Sequence, residues 1–117
     1  MDSQILKDRT QKFALNIIAL VQGLTRGRVI DVIGNQLLRS GTSVGANYRA
    51  ACRAKSPADF ISKMGTVEEE ADESVFWLEL LVKSRLVSYD RVSDLVNEAN
   101  QLVAITVASI NTARRKK

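Results

Sequence analysis

Apolar residues recur at helical spacing along almost the whole chain of 117 residues. Steps of three and four residues place such positions on one side of a helix. The pattern predicts four amphipathic helices, over about residues 3–24, 28–55, 57–85 and 89–113. In chain order, the predicted buried positions are Phe13, Ile17, Leu20 and Leu24; Ile30, Ile33, Leu37, Gly41, Val44, Tyr48 and Ala51; Phe60, Met64, Val67, Ala71, Val75, Leu78 and Val82; and Val92, Leu95, Ala99, Leu102, Thr106 and Ile110.

The clearest boundary between predicted helices is the segment Ser56-Pro57-Ala58-Asp59. Ser can cap free backbone N–H groups, Pro fits the first helical position, and Asp suits the positive end of a helix. Residues 25–27 form a short break earlier in the chain, and Ser88 resembles a further N-cap. Connections this short favour antiparallel neighbouring helices.

The sequence therefore predicts an all-α, single-domain, up-down-up-down four-helix bundle over residues 1–113, followed by a basic tail over residues 114–117. A three-helix domain with a loose first helix is the alternative fold. Gly41 and Gly45, four residues apart, are predicted to let another helix approach closely.

The composition disfavours catalysis and cofactor binding. The chain has no His and one Cys, Cys52, so the commonest general base, metal ligand and disulfide partner are missing. Residues 40–45 contain two glycines, but they lack the Gly-Lys-Ser/Thr ending of a phosphate loop. The acidic residues between Glu68 and Glu73 are interpreted as an outward face, not a di-metal site. We expect a cytoplasmic protein without enzymatic activity, cofactor or membrane segment.

Charge is separated by helix. Residues 26–55 hold six Lys or Arg and one acid, whereas residues 56–86 hold three bases and seven acids. On a continuous second helix, four arginines fall within an arc of about 80°, opposite the apolar stripe. Such a ridge suits phosphate contacts, although a solvated face or ion pairs to the acids of the third helix would explain it equally. The candidate nucleic-acid-binding residues are Arg28, Arg39, Arg49, Arg53, Lys55, Arg114 and Arg115.

The third helix carries a second apolar patch, which consists of Phe76, Trp77 and Leu80. These positions lie more than about 100° from the centre of the predicted core stripe. A monomeric bundle would leave them exposed, so they are predicted to form an oligomer interface. A wider bundle core that absorbs Trp77 is the alternative.

The middle of the chain resembles a known family. The carrying segments are residues 36–51 (QLLRSGTSVGANYRAA), Arg53-Ala54-Lys55-Ser56, Asp59-Phe60-Ile61 with Lys63, Glu70-Ala71-Asp72-Glu73-Ser74 and Trp77-Leu78-Glu79-Leu80-Leu81. They are similar to the four-helix-bundle proteins also called the 23S rRNA intervening-sequence protein family, over about residues 5–112. Arg39, Asn47 and Arg49 match its signature.

The resemblance implies a non-enzymatic bundle, typically a homopentamer, that binds RNA or DNA. Similar proteins include the accessory variability protein of diversity-generating retroelements, which associates with reverse transcriptase. We therefore expect an oligomeric nucleic-acid-binding or nucleoprotein accessory protein with RNA as its ligand. A protein-binding scaffold whose target is an enzyme such as a reverse transcriptase is the alternative function.

Overall fold

Four antiparallel α-helices make up the protein. The computed structural model describes residues 2–116, in which the helices are α1 (Ser3–Gln22), α2 (Arg28–Cys52), α3 (Pro57–Lys83) and α4 (Tyr89–Arg115). Each helix packs against the preceding and following helix, and α1 also contacts α4. The result is a rod with dimensions of 47 × 20 × 19 Å. The prediction of an up-down-up-down four-helix bundle is confirmed.

The first helix is an integral part of the bundle, so the three-helix alternative is wrong. Phe13 and Ile17 of α1 are almost completely buried, with exposed fractions of 1% and 0%. A bidentate ion pair between Arg9 and Glu98 also joins α1 to α4, with an Nη2–Oε1 distance of 2.6 Å. The apolar side of α1 therefore forms part of the hydrophobic core, together with apolar residues of the other three helices.

The predicted capping signal at the start of α3 is confirmed, and the other helix starts vary. The Ser56 hydroxyl accepts a hydrogen bond from the Asp59 N–H at 3.0 Å, and Pro57 occupies the first turn of α3. At the start of α1, an Asp2 carboxylate oxygen accepts from the Ile5 N–H at 2.9 Å. Ser88 is the N-cap of α4, but its side chain makes no capping hydrogen bond.

Helix ends differ from the prediction by two or three residues. The first three helices end earlier, at Gln22, Cys52 and Lys83. The helical spacing of apolar residues continues past the helix ends, because residues such as Leu24 still pack on the core after the helix has ended. Conversely, α4 extends to Arg115, so Arg114 and Arg115 lie on its last turn instead of in a separate tail. Lys117 lies outside the described residues.

The core runs the length of the rod and consists mainly of the predicted stripes. Every predicted position on α2 and α4 is buried; the partly buried members of the other two stripes are Leu24, just after α1, and Phe60 and Val82 on α3. Two buried hydroxyls add a polar contact between α2 and α3. The Ser74 Oγ lies 3.0 Å from Ser40 Oγ and 2.9 Å from the Glu70 carbonyl oxygen, and its single proton can be donated to either. Ser40 Oγ donates to the Leu37 carbonyl, so neither hydroxyl is left unsatisfied.

The close approach predicted at the two glycines occurs between α2 and α1. A Cβ placed at Gly41 would lie 2.8 Å from Ile17 Cγ1, and one at Gly45 would lie 3.3 Å from Thr10 Oγ1. Real Cβ atoms do not tolerate the first distance, so Gly41 fixes how near the two helices come. The backbone of α2 consequently forms part of the floor of a groove beside α1.

Helix direction determines which termini share an end of the rod. The start of α1, the end of α2, the start of α3 and the end of α4 lie together, since neighbouring helices are antiparallel. Within residues 2–116, no helix is long and apolar enough to cross a membrane.

Candidate nucleic-acid interface

Arg49 and Arg53 lie side by side near the end of α2, in a groove between α1 and α2. The groove has a volume of about 450 Å³, and Gln4, Lys7 and Asp8 line its other side. Both arginines are exposed. Neither forms an ion pair with another residue in the described part of the chain. Two guanidinium groups with free donors in one groove can bind a phosphate group.

The other predicted cations at this end belong to different elements. Lys55 is exposed in the connection between α2 and α3, and the end of α4 carries two further arginines. Lys7 and Lys116 both line a surface depression with Cys52 and Pro57, which shows that α1, α2, α3 and α4 meet here. We call this cluster the basic end; it consists of Lys7, Arg49, Arg53, Lys55, Arg114, Arg115 and Lys116.

Few acids offset the charge of the basic end, and two of the three stabilise helix N-termini. Asp2 caps α1, as described above. Asp59 accepts from the Lys55 N–H at 3.0 Å and from Lys63 Nζ at 2.6 Å. The hydrogen bond from Lys63 is the main cause that lowers the pKa of Asp59. The third acid, Asp8, lines the α1–α2 groove. None of the seven cations of the basic end forms a salt bridge to another described residue.

Arg39 is in a different environment from the other arginines of the predicted ridge. Its guanidinium forms ion pairs with Glu70, at 3.1 Å, and with Glu73 on α3. Glu73 also accepts a hydrogen bond from Trp77 Nε1 at 2.9 Å. This bond, together with Arg39, lowers the pKa of Glu73 below its ordinary value. Arg39 therefore joins α2 to α3. Each of its three guanidinium nitrogens already donates to a neighbouring side chain, Gln36, Glu70 or Glu73.

Arg28 lies at the opposite end of α2 from Arg53. With a rise of about 1.5 Å per residue, about 37 Å of helix separates the two residues. The helix is continuous, as the ridge hypothesis required, yet the four arginines lie in three different environments. Arg49 and Arg53 belong to the basic end, Arg39 to the α2–α3 contact, and Arg28 to the far end of the rod.

Sequence reasoning missed one cation of the basic end, Lys7, whereas Lys116 was part of the predicted basic tail over residues 114–117. Lys7 lies outside the charge-rich second segment of the chain. The signal was nevertheless present, because an antiparallel bundle places the start of α1 beside the ends of α2 and α4. Combining the predicted topology with the charges at each terminus would have identified it.

The apolar patch on α3 is only partly exposed. Phe76 has an exposed fraction of 53%, while Trp77 and Leu80 are half-buried and pack against the core. The rings of Phe76 and Trp77 meet edge to face, with centroids 4.9 Å apart. The wider-core alternative thus applies to Trp77 and in part to Leu80, and Phe76 remains the exposed member.

Val32 extends this patch onto α2 and was missed in the sequence. Val32 precedes Arg39 by seven residues, and Leu80 follows Glu73 by seven residues. Since Arg39 contacts Glu73 and the helices are antiparallel, both steps lead in the same direction along the rod. Seven residues are nearly two full turns, so each residue stays on its stripe. Val32, with an exposed fraction of 59%, therefore lies near Leu80 on the same surface.

The described residues offer little else that resembles a reactive site. Within residues 2–116, no group of three or more Cys, Asp or Glu side chains is arranged to hold a metal ion. Cys52 is exposed at the end of α2. Burial is the main cause that raises the pKa of the nearby Tyr48 hydroxyl, which therefore stays protonated.

Comparison with known proteins agrees with this architecture. A sequence profile of the 23S rRNA-intervening sequence protein family matches residues 2–108. The chain belongs to this family. One similar solved structure is a protein of unknown function from the S23 ribosomal protein family of Bacteroides thetaiotaomicron. It is 34% identical, with a TM-score of 0.87, and the match covers 95% of this chain and 99% of that one. No curated protein matches the chain significantly.

Membership in the 23S rRNA-intervening sequence protein family confirms the resemblance found in the sequence. The structural match covers almost all of the related chain, so the two proteins share this fold. Neither comparison assigns a ligand, a catalytic activity or an assembly to this protein.

Proposed function

We propose that this 23S rRNA-intervening sequence protein is a cytoplasmic, non-enzymatic RNA-binding protein that contacts the nucleic-acid backbone through its basic end. The observation that carries the proposal is the clustering of seven Lys and Arg side chains without carboxylate partners in the described chain; they come from α1, the end of α2, the α2–α3 connection and the end of α4. Cations whose donors are free can neutralise phosphates, and arginine forks can do so with two hydrogen bonds.

The distribution of the remaining charges supports the same surface. Arg9, Arg26 and Arg39 are each paired with carboxylates, so their positive charge is largely compensated. The middle of α3 is acidic between Glu68 and Glu73 and would repel a polyanion. A nucleic acid is therefore favoured at one end of the rod and disfavoured along the side of α3.

The binding mode expected from this surface is backbone recognition with weak sequence preference. The described chain offers exposed Arg and Lys at the basic end, but its exposed aromatic residues, Phe76 and Tyr89, lie elsewhere. Stacking of bases on aromatic rings is thus not part of the proposed contact. The affinity would come mainly from counterion release.

We also propose that copies of the chain associate through the apolar patch of Phe76, Trp77, Leu80 and Val32. The patch lies on the α2–α3 side and contains two residues with more than half of their surface exposed, Phe76 and Val32. An apolar surface with an aromatic anchor is typical of a subunit contact. Five subunits, as the resemblance implies, would repeat the basic end and raise avidity.

The experiment is a binding titration of a labelled structured RNA at low salt, read by fluorescence anisotropy. The double variant Arg49→Gln/Arg53→Gln should lose at least about tenfold in affinity, which corresponds to about 1.4 kcal/mol. The matched control is Arg28→Gln/Arg91→Gln, which removes the same charge from the other end of the rod. The control should stay within about twofold of the parent.

Two results would contradict the proposal. The first is a parent protein that does not bind RNA at low salt. The second is an equal loss in both double variants, because a purely global charge effect does not depend on which end is changed. All four arginines are exposed, so the variants should keep the helical signal of the parent.

A further inference from the structure

The groove between α1 and α2 at the basic end has two chemically different walls. Arg49 and Arg53 form the α2 wall. On the α1 wall, Gln4, Asp8 and Gln11 are spaced by four and three positions and lie on one stripe of the helix, with Lys7 beside them. The groove volume of about 450 Å³ falls in the range of about 300–1,000 Å³ that small ligands occupy.

The floor of this groove is made of small residues and backbone. Ala14, Gly45 and Ala46 line it. At Gly45, an added Cβ would lie 3.3 Å from Thr10 Oγ1 and 3.4 Å from the Thr10 carbonyl carbon, so the helices nearly touch. The long polar side chains therefore stand above a narrow floor, which leaves the space between them open to a ligand.

Asp8 and the two arginines face the same groove but do not contact each other. No ion pair within 4.0 Å joins Asp8 to Arg49 or Arg53, although ion pairs of this kind form elsewhere on the molecule. The Oδ1 atom of Asp8 accepts a hydrogen bond from Gln4 Nε2 at 3.0 Å. Its other oxygen has no hydrogen-bond donor among the described residues. The separation of the charges leaves room for a group that contacts both walls.

Asp8 would weaken phosphate binding by Arg49 and Arg53, because a carboxylate repels a phosphate. A ligand hydroxyl group close to the phosphate would offset this repulsion, since it can donate a hydrogen bond to the free carboxylate oxygen of Asp8. The ribose of RNA carries such a group, the 2′-hydroxyl, and deoxyribose does not. A DNA strand in this groove would leave Asp8 near a phosphate without a donor in return.

We propose that the α1–α2 groove binds one ribonucleotide unit and makes the protein prefer RNA to DNA. Arg49 and Arg53 hold the phosphate, and Asp8 accepts a hydrogen bond from the 2′-hydroxyl. This inference rests on the proposed function, because it assigns the selectivity of the same basic end. It goes further in giving an acidic residue the role of distinguishing the two nucleic acids.

The test compares three single-stranded probes of one sequence: RNA, DNA and 2′-O-methyl RNA. The parent protein should bind RNA at least about tenfold more tightly than DNA, which is the lower limit expected for one hydrogen bond to a charged group. The 2′-O-methyl probe should bind like DNA, since its ribose oxygen can no longer donate. This arm uses the parent protein and does not depend on the folding of a variant.

Asp8→Ala provides the second arm of the test. The variant should bind DNA more tightly than the parent does, because a repulsive charge is gone, and its RNA-to-DNA affinity ratio should fall to about one. Asp94→Ala is the matched control, since it removes an exposed carboxylate from α4 far from the groove. The control should keep the ratio of the parent.

The outcomes separate this inference from the proposed function. Equal affinity of the parent for RNA and DNA, RNA-like binding of the 2′-O-methyl probe, or an unchanged ratio in Asp8→Ala would each overturn the inference and leave backbone binding intact. Absence of binding to every probe would overturn the proposed function and the inference with it.

Discussion

Helix packing predicts opposite effects of a glycine-to-alanine substitution at Gly41, where α2 meets α1, and at Gly65 in α3. At Gly41 an alanine Cβ would lie 2.8, 2.9 and 3.2 Å from Ile17 Cγ1, Cγ2 and Cβ, and Ile17 is fully buried. Ile17 cannot rotate away from all three contacts, so the helices must separate at a cost of about 2–3 kcal/mol. Alanine recovers about 1 kcal/mol of helix propensity. Gly41→Ala should therefore destabilise the protein by about 1–2 kcal/mol.

Gly65→Ala is the matched control within α3. No atom lies within 4 Å of a Cβ placed at Gly65, so only the propensity gain applies and the variant should be about 0.5–1 kcal/mol more stable than the parent. Urea denaturation followed by circular dichroism, at one protein concentration, measures both free energies of unfolding. A Gly41→Ala protein as stable as Gly65→Ala would refute the packing argument.

Three further predictions concern the α2–α3 side. Hydrogen bonds from Trp77, and then from Arg39, lower the pKa of Glu73 from 4.5 in the folded state. Ionised Glu73 therefore stabilises the protein fully above a pH of about 4.5, and this stabilisation is lost as the pH falls through the folded-state pKa. Glu73→Gln should lose less unfolding free energy on acidification than the parent does, and equal slopes of unfolding free energy against pH in the two proteins would contradict this. Arg39→Gln should lower the free energy of unfolding only slightly, because its ion pairs with Glu70 and Glu73 are partly exposed to solvent. Its RNA affinity should stay within about twofold of the parent; a loss as large as that of Arg49→Gln/Arg53→Gln would place Arg39 in the binding surface. Leu80→Asp should give smaller particles that remain helical, as light scattering and circular dichroism would show, whereas a parent particle of 12.9 kDa would exclude the proposed assembly.

The hydrophobic pattern was sufficient to predict the fold, because a four-helix bundle is specified mainly by the spacing of its apolar residues and by short connections between its helices. The stripe from Ile30 to Ala51 kept its phase over the whole of α2, and every member is buried. The helix ends could not be obtained with the same accuracy. At Arg85, for example, the chain turns with a φ of 64°, a conformation that the apolar spacing around it does not encode.

The candidate site was only partly predictable, for a different reason. A ridge on one helix can be read from angular spacing, but the partners of its residues depend on the neighbouring helices. Arg39 meets Glu70 and Glu73 because α3 lies against that part of α2, whereas Arg49 faces the groove beside α1. Lys7 joins the site only through the antiparallel packing of the helices.

The salt dependence of RNA binding tests the role of the basic end most directly. The logarithm of the affinity should fall linearly with the logarithm of the salt concentration, with about 0.7–0.9 of slope for each phosphate neutralised. Replacing Arg49 and Arg53 with Gln should make the slope shallower by about 1.4–1.8 for each contacting subunit, while the Arg28→Gln/Arg91→Gln control keeps the slope of the parent. A slope that is the same in the parent and in the Arg49→Gln/Arg53→Gln variant would show that these arginines do not contact phosphate and would contradict the account.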